Sequence, residues 1–173
     1  MATIGEIVGA VDTFLATPKR IVGYDVAPQW GPGFSPHEVQ AKYPLEIEGE
    51  LRGSQLMIVG FPRERALKFR VGILFPAMIC RIDYTDEMHI NSLDGMVAGS
   101  VPYAVTGPHY HSWPLNRRFF RGVTAPPKLH DAVRYEGAAR TFDSVLRWFC
   151  ADTRIESLPP NHRISLPPYE LLL

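Results

Sequence analysis

The sequence has little of what would mark a secreted or membrane-bound protein. Its two cysteines, Cys80 and Cys150, lie in apolar stretches and are interpreted as reduced core thiols rather than as a disulfide or a pair of metal ligands. No apolar run approaches the ~20 residues of a membrane span. The amino terminus lacks a basic region and has Glu6 within its apolar stretch, so we expect no signal peptide and a cytoplasmic location.

Net charge is absent as well, because 18 basic and 18 acidic residues cancel. The charges are unevenly placed, since residues 1–108 have an excess of acidic side chains and residues 109–173 an excess of basic ones. The basic half begins at a cluster of histidines, which favours an anionic ligand at that point. Small imbalances of this kind are also common without a ligand, so the sequence leaves both interpretations open.

Two segments have the apolar period of a helix. Thr3 and Glu6 have the spacing of a capping box, and the apolar residues that follow predict a helix over residues 4–16 that Pro18 ends. A second helix is predicted from about Thr141 to Thr153, with its apolar residues on one side. We expect both helices to pack on the same face of a sheet.

The sequence between these helices predicts a meander of strands. Apolar and polar residues alternate from Tyr43 onward, Gly53-Ser54 is interpreted as a turn, and the last strand before the histidines runs from Met78 to Tyr84. The connections are too short for crossover helices, so neighbouring strands are expected to be antiparallel. Residues 113–137 are interpreted as a long irregular segment. The predicted fold class is therefore α+β, an antiparallel meander with an N-terminal and a C-terminal helix packed on one face.

Proline-rich segments lie outside this predicted core. We interpret residues 1–157 as a single α+β domain and residues 158–173, with four prolines and three terminal leucines, as an arm. The arm is predicted to pack on the domain or on a second subunit of a homodimer, with its last four residues buried. Residues 28–36 form a loop with Trp30 and Phe34, which is interpreted either as held to the core by these rings or as a contact surface for a protein partner.

The candidate site lies in residues 79–116, which contain three of the six histidines. Residues two apart in a strand point to the same face, so the spacing predicts that polar side chains from three adjacent strands converge on one surface. A single histidine is more often a surface residue or a hydrogen-bonded core residue, and for the group a structural role is the alternative. The residues concerned are Arg81, Asp83, His89, Asn91, Asp94, His109 and His111.

Two chemistries fit these residues. The first is metal-free phosphodiester cleavage, with histidines as acid, base and orienting groups and an arginine that binds the phosphate; it requires no cofactor. The second is a three-histidine divalent metal site of the zinc type, open to water, with Asp83 or Asp94 as a further ligand. The catalytic candidates are His89, His109, His111 and Arg81, supported by Asp83, Asn91 and Asp94, and the first three are the candidate metal ligands.

A basic and aromatic stretch follows the histidines. Taken alone, it fits a surface loop with buried phenylalanines, and next to a phosphodiester site it also fits phosphate contacts and base stacking. The predicted partners are therefore RNA or another anionic ligand, with a protein partner as the alternative and no membrane. The candidate nucleic-acid-binding residues are Arg117, Arg118, Phe119 and Arg121.

The spacing of the central residues resembles that of a family of small bacterial and phage proteins whose function is not established. The shared motifs are R-x-D, H-x-N-x-D-G and G-P-H-x-H, matched by Arg81-x-Asp83, His89-x-Asn91 with Asp94-Gly95, and Gly107-Pro108-His109-x-His111. The likeness covers about residues 70–155 and includes a helix that ends on Trp148-Phe149-Cys150. This chain differs at residues 92–93 and in a longer insert before the last motif. Some members lie near toxin–antitoxin or defence genes, so the resemblance implies a role in bacterial defence.

A weaker likeness is to ubiquitin-conjugating enzymes, which also run from a helix through a meander to an H-x-N motif. They require a cysteine shortly after that motif, and none occurs between Met88 and Phe149, so this activity is not expected. The G-x-S-x-G, Walker A and G-x-G-x-x-G motifs are also absent. The leading hypothesis is an endoribonuclease-like protein of bacterial defence or toxin–antitoxin function, and the alternative is a non-catalytic binding or inhibitor module.

Overall fold

A computed structural model describes residues 3–94, 99–120, 129–138, 140–156 and 158–169. Its helices are α1 (Ile4–Ala16), α2 (Trp113–Asn116) and α3 (Phe142–Asp152), and a 3-10 turn spans Arg117–Phe119. Its strands are β1 (Arg20–Ile21), β2 (Gly31–Pro32), β3 (Val39–Ile47), β4 (Glu50–Gly60), β5 (Phe69–Leu74), β6 (Met78–Tyr84), β7 (Met88–Ile90), β8 (Ala104–Thr106), β9 (His109–His111) and β10 (Val133–Arg134). None of the helices in these ranges has the length and apolar character that a membrane crossing requires.

One antiparallel sheet organises the fold. Its strands follow the order β1-β3-β4-β5-β6-β9-β10, and β2 also pairs with β3. The neighbouring pairs from β3 to β6 are antiparallel, which confirms the predicted meander. The strands β7 and β8 pair only with each other among the described residues. Of the histidine-bearing strands, β9 therefore belongs to the main sheet and β7 to a separate hairpin.

The two longer helices pack on one face of this sheet, as predicted. Each begins with a capping box, at Thr3 for α1 and at Thr141 for α3. Phe14 of α1 and Phe149 of α3 lie in the same core as Ile58 of β4. The neighbouring β4 residues Met57 and Val59 belong to a smaller apolar cluster on the other face. The main core therefore lies on the face of the sheet that the two helices cover, which leaves the opposite face for the candidate site.

The hairpin between β3 and β4 turns at a different place from the one predicted. The two residues between these strands are Glu48 and Gly49, with φ of 52° and 81°. Positive φ at both positions gives the turn twist that a two-residue hairpin favours. Gly53 has a φ of 73° but lies within β4, near the shift of register between Pro44 and Glu46 of β3. The predicted turn at Gly53 is wrong, because this glycine forms part of a β-bulge within β4 instead.

The segment 113–137 is more regular than predicted. It contains α2, the 3-10 turn and β10, whose residue Val133 is paired with Tyr110 of β9. Residues 121–128 lie outside the described part of the chain. The short strand was missed because two residues show no alternation of apolar and polar side chains.

The described part of the C-terminal arm packs on the domain. Leu158 and Ile164 are each only 4% exposed and belong to the main core. Pro167 lies directly on Gly60, where an added Cβ would come within 2.4 Å of the proline Cδ. The last four residues, predicted to be buried, lie outside the described residues. The homodimer contact stays a prediction.

The aromatic loop at residues 28–36 divides its two rings between core and solvent. Trp30 packs against the main core. Phe34 is 86% exposed. The loop is therefore held to the domain by its tryptophan, and the contact with a protein partner stays a prediction.

Candidate metal centre

Two rows of cross-strand neighbours carry most of the polar side chains. Asp83 of β6 is paired with His109 of β9 on one side and with Arg70 of β5 on the other, and Arg81 is paired with His111. Paired residues of antiparallel strands project from the same face of a sheet, as do alternate residues of one strand. The residues that alternate with them lie in the core beneath the helices. These five side chains therefore project from the face away from α1 and α3.

The third histidine comes from outside the main sheet. His89 lies in β7, so it does not come from an adjacent strand of that sheet as predicted. Its ring centroid lies 5.3 Å from that of His109 and 4.6 Å from that of His111, which are 5.2 Å apart. One ligand nitrogen of each ring lies within 4.8 Å of the others. The predicted convergence of the three histidines is confirmed, although the strands that produce it are arranged differently.

Two of the rings use Nδ1 to bind the backbone. The Nδ1 of His109 lies 2.7 Å from the Gly107 carbonyl oxygen, and the Nδ1 of His111 lies 3.1 Å from the Asp131 carbonyl oxygen. A carbonyl oxygen only accepts hydrogen bonds, so each Nδ1 carries a hydrogen and donates it. In the neutral rings, the Nε2 atoms are then left as lone-pair acceptors.

His89 follows the same rule with its nitrogens exchanged. Its Nε2 lies 2.9 Å from the His130 carbonyl oxygen and donates to it, which leaves Nδ1 as the available nitrogen. In their neutral forms, all three rings thus donate their N–H to the backbone and keep one lone pair on the other nitrogen. Hydrogen bonds of this kind fix the tautomer and orientation of metal-binding histidines in other proteins.

Asp83 adds a carboxylate to the same space. Its Oδ2 lies 3.6 Å from the Nε2 of His109 and 3.7 Å from the Nε2 of His111. The Arg81 guanidinium donates to both carboxylate oxygens, at 2.8 Å for Oδ2. Burial acts to raise the pKa of Asp83, but hydrogen bonds from the two histidine side chains in their protonated form and the charge of Arg81 hold that pKa well below its usual range. The carboxylate is therefore ionised.

His111 is neutral at pH 7. The residue has no exposed surface, and burial lowers its pKa to about 4, against the opposing effect of the Asp83 carboxylate. The Arg81 guanidinium approaches its Nε2 at 3.5 Å, longer than an ordinary hydrogen bond. The space between the rings is therefore bordered mainly by acceptors.

This donor set suits a divalent transition metal. Three imidazole nitrogens with a carboxylate oxygen are a ligand combination that zinc accepts. Bonds of about 2.0–2.1 Å in a tetrahedral site place ligand atoms roughly 3.3 Å apart. The separations of 3.6 and 3.7 Å from Asp83 to the two Nε2 atoms are near that value. The ligand nitrogens of the three rings lie within 4.8 Å of one another, so the rings would have to move closer together around an ion.

Two asparagines hold the backbone that orients the rings. The Asn91 side chain accepts from the Ala132 N–H at 2.7 Å and donates to the Ala132 carbonyl at 2.9 Å. The Asn116 side chain accepts from the Asp131 N–H at 2.9 Å and donates to the Asp131 carbonyl at 2.8 Å. Asn91 thus supports the site through residues 129–132 rather than through an imidazole. These residues provide the carbonyl acceptors of two histidines.

The buried Asp131 side chain fixes the same stretch from another direction. Its Oδ1 accepts the N–H of Ser92 at 2.7 Å and that of Leu93 at 3.3 Å, and its Oδ2 is paired with Arg118. Arg118 also donates to the Asp94 carbonyl at 2.6 Å. Sequence reasoning missed Asp131 and gave no role to Asn116, because each binds backbone that only the folded chain brings close.

Three of the residues predicted to bind nucleic acid, Arg117, Arg118 and Phe119, have partners within the protein. Arg117 forms an ion pair with Asp12 at 3.2 Å. The Arg118 guanidinium lies 4.3 Å from the centre of the Phe119 ring. Arg121 lies outside the described residues. Contact of this stretch with RNA stays a prediction.

The histidine group is reached from solvent through a pocket on the side of β5. The pocket has a volume of about 100 Å³ and touches His89 and His109, whereas His111 lies behind them. A small molecule in this pocket would meet an ion bound by the histidines. Its polar walls include Lys68, Arg70, Asp83, Thr85 and Glu87.

No protein-family model, curated protein or solved structure matches the chain. The resemblance to small bacterial and phage proteins therefore stays a prediction.

Proposed function

We propose that His89, His109 and His111 bind a divalent transition-metal ion of the zinc type. The observation that carries this proposal is that each ring donates its N–H to a backbone carbonyl and keeps a lone pair for the group. Three acceptors next to an ionised carboxylate repel one another, and a cation between them replaces this repulsion by coordination. Asp83 serves as a fourth ligand or as the acceptor of a hydrogen bond from a metal-bound water.

The reaction that such a site supports best is hydrolysis of a phosphate ester. With the three histidines as ligands and Asp83 as a hydrogen-bond acceptor rather than a ligand, an ion would have a position open for water and would lower the pKa of that water to about 7. Access through the pocket at His89 and His109 lets a substrate reach the same ion. Arg81 already forms an ion pair with Asp83. The ion, rather than this arginine, would therefore neutralise most of the negative charge of the phosphate.

The metal-free mechanism is less well supported by the geometry. It needs histidines that reach the substrate and change protonation near neutrality, whereas His111 is buried with its pKa lowered to about 4. RNA cleavage stays a prediction in both versions, and mixed RNA with and without EDTA is its test. Cleavage that survives EDTA and disappears in His109→Ala would favour the metal-free version.

Metal binding itself is tested by calorimetric titration of EDTA-treated, dialysed protein with Zn²⁺. We expect one ion per chain and a higher melting temperature of the loaded protein. His109→Ala and His111→Ala should lose this binding. His37→Ala should retain it, because His37 is exposed and lies outside the group. A wild-type protein that binds no Zn²⁺, Co²⁺ or Ni²⁺ would refute the proposal.

A non-catalytic binding module is the second candidate function. The observation in its favour is that His89 and His111 are tied to residues 129–132 by a buried hydrogen-bond network, which stabilises a fold without any ion. In that case, the titration shows no metal binding, and both His111→Ala and Asn116→Ala lower the melting temperature. The exposed Phe34 is then the first residue to test for contact with a protein partner.

A further inference from the structure

The pocket that opens onto His89 and His109 also has hydrogen-bond donors among its walls. Lys68 and Arg70 are two residues apart at the start of β5, and Thr85 directly follows β6. We propose that this pocket binds the terminal phosphate group of a phosphate ester, with one phosphate oxygen on the metal ion. This inference rests on the metal site proposed above and names the substrate class of that site.

The two basic side chains are held in place before any ligand arrives. Lys68 Nζ lies 2.6 Å from a Glu87 carboxylate oxygen, and Arg70 donates to Glu38 at 2.9 Å. Both cations also lie over the ring of Phe61, at 4.8 and 5.1 Å from its centre. An ammonium has three donors and a guanidinium has five, so each retains N–H groups for a ligand. Fixed donors of this kind reduce the entropy that binding costs.

The hydroxyl of Thr85 adds a neutral donor. Its oxygen accepts the N–H of Glu87 at 3.2 Å, which leaves the hydroxyl hydrogen for a ligand. A terminal phosphate has three oxygens outside the ester bond, so it can bind the ion and accept from Lys68, Arg70 and Thr85 together. A carboxylate has two oxygens and satisfies fewer of these groups.

The charges of the pocket favour an anion only when the ion is present. Among its walls, the charges of Lys68 and Arg70 are cancelled by those of Asp83 and Glu87. A divalent ion bound by neutral histidines adds two positive charges at the inner end. Phosphate binding should therefore depend on the metal.

The size of the pocket limits what can enter. Its volume of about 100 Å³ corresponds to only a few water molecules at roughly 30 Å³ each. A phosphate group fits this space, and a larger group such as a sugar or a nucleobase would extend beyond it. The substrate is accordingly bound by a phosphate at its end, with the remainder of the molecule outside the pocket. An internal phosphodiester, with a substituent on each side, fits less well.

The test is titration of the Co²⁺-loaded protein with inorganic phosphate, followed by the visible absorption of the cobalt. We expect a saturable spectral change in the loaded protein and, by calorimetry, no phosphate binding to the metal-free protein. Lys68→Gln and Arg70→Gln should each weaken phosphate binding about tenfold while cobalt still binds. Arg65→Gln removes the same charge from an exposed residue that does not line this pocket, and it should have little effect. Glu87→Gln should tighten binding.

The outcomes separate this inference from the metal proposal. A protein that binds none of Co²⁺, Zn²⁺ and Ni²⁺ refutes the metal site itself. If Co²⁺ binds but phosphate leaves the spectrum unchanged, or if Arg65→Gln weakens binding as much as Lys68→Gln, the phosphate pocket is refuted and the metal site stands. Dimethyl phosphate, a model of an internal diester, should bind more weakly than inorganic phosphate, and equal or tighter binding would overturn the assignment to terminal phosphates. Binding of acetate that is tighter than binding of inorganic phosphate would also overturn this assignment.

Discussion

Asp83 and His109 are direct neighbours across β6 and β9, and the Asp83 Oδ2 lies 3.6 Å from the His109 Nε2. The same carboxylate accepts hydrogen bonds from Arg81, so its charge is retained and its position is fixed. The register of one strand pair therefore places an ionised oxygen next to an imidazole acceptor. Perturbing that oxygen should affect any ion bound by the histidines.

Asp83→Asn should weaken zinc binding about 10- to 100-fold, because it removes the negative charge while it keeps the shape of the side chain. Calorimetric titration with Zn²⁺ measures this loss. Asp86→Asn is the matched control, since Asp86 is exposed and three residues away. Equal zinc affinity in wild type and Asp83→Asn would mean that the carboxylate has no part in the site.

Asn116→Ala should reduce both stability and metal affinity. The substitution removes side-chain bonds to the Asp131 N–H and carbonyl, and we expect a loss of about 2 kcal/mol in unfolding free energy. The Asp131 carbonyl orients His111, so zinc binding should also weaken in protein that is still folded. Asn161→Ala, at an exposed position, is the control. Reduced stability with unchanged zinc affinity would show that Asn116 supports the fold alone.

Lys19→Met should change how stability depends on alkaline pH. Lys19 is 1% exposed and donates to the carbonyls of Thr17 and Thr153, beyond the ends of α1 and α3, and burial lowers its pKa to about 8. Between about pH 8 and 10.5 the unfolded chain holds this proton and the folded chain does not, so raising the pH stabilises the fold.

The wild type should therefore gain up to about 3 kcal/mol relative to Lys19→Met as the pH rises through this window. Urea unfolding of both proteins at pH 7.5 and pH 10 measures the difference, and tyrosines and thiols that ionise in the same range cancel in the comparison. A difference that stays constant with pH would contradict the lowered pKa.

Gly60→Ala should displace the C-terminal arm. An added Cβ would lie 2.4 Å from the Pro167 Cδ, so the proline ring must move, at a cost of about 1–3 kcal/mol. Thermal unfolding should show a lower melting temperature, and limited proteolysis should cut the arm faster. Gly31→Ala is the control, because an added Cβ there meets nothing within 4 Å. Equal melting temperatures for the two variants would show that the arm contact contributes little.

The parts of this protein that follow from local sequence were predictable. The Thr3–Glu6 capping box places the start of α1, and alternation of apolar residues gives β6 its bounds of Met78–Tyr84. The i, i+2 spacing also places His109 and His111 on one face. Each of these features depends on hydrogen bonds or burial within a few residues, which a single stretch of sequence contains.

The remaining features depend on contacts between distant parts of the chain. Gly53 has the same preference for positive φ in a turn as in a β-bulge, so the residue alone does not distinguish the two. His89 reaches the other histidines from a separate hairpin. The small polar residues near His89 in the sequence favour turns, but they do not determine where the hairpin packs. Asp131 lies in a stretch without a helical or strand-like pattern of apolar residues. Its role in holding the backbone and His111 becomes visible only from its hydrogen bonds with Ser92 and His111 in the folded chain.

The carbonyls that receive the N–H groups of His89 and His111 belong to consecutive residues, His130 and Asp131, just before β10, which is the edge strand of the main sheet among the described residues. A displacement of this backbone moves two of the proposed metal ligands at once. The linkage is reciprocal, so an ion that holds the rings also opposes fraying of the outermost strand. An exposed sheet edge is a template for pairing with other chains. The same ion that would activate water would thereby protect the protein against self-association.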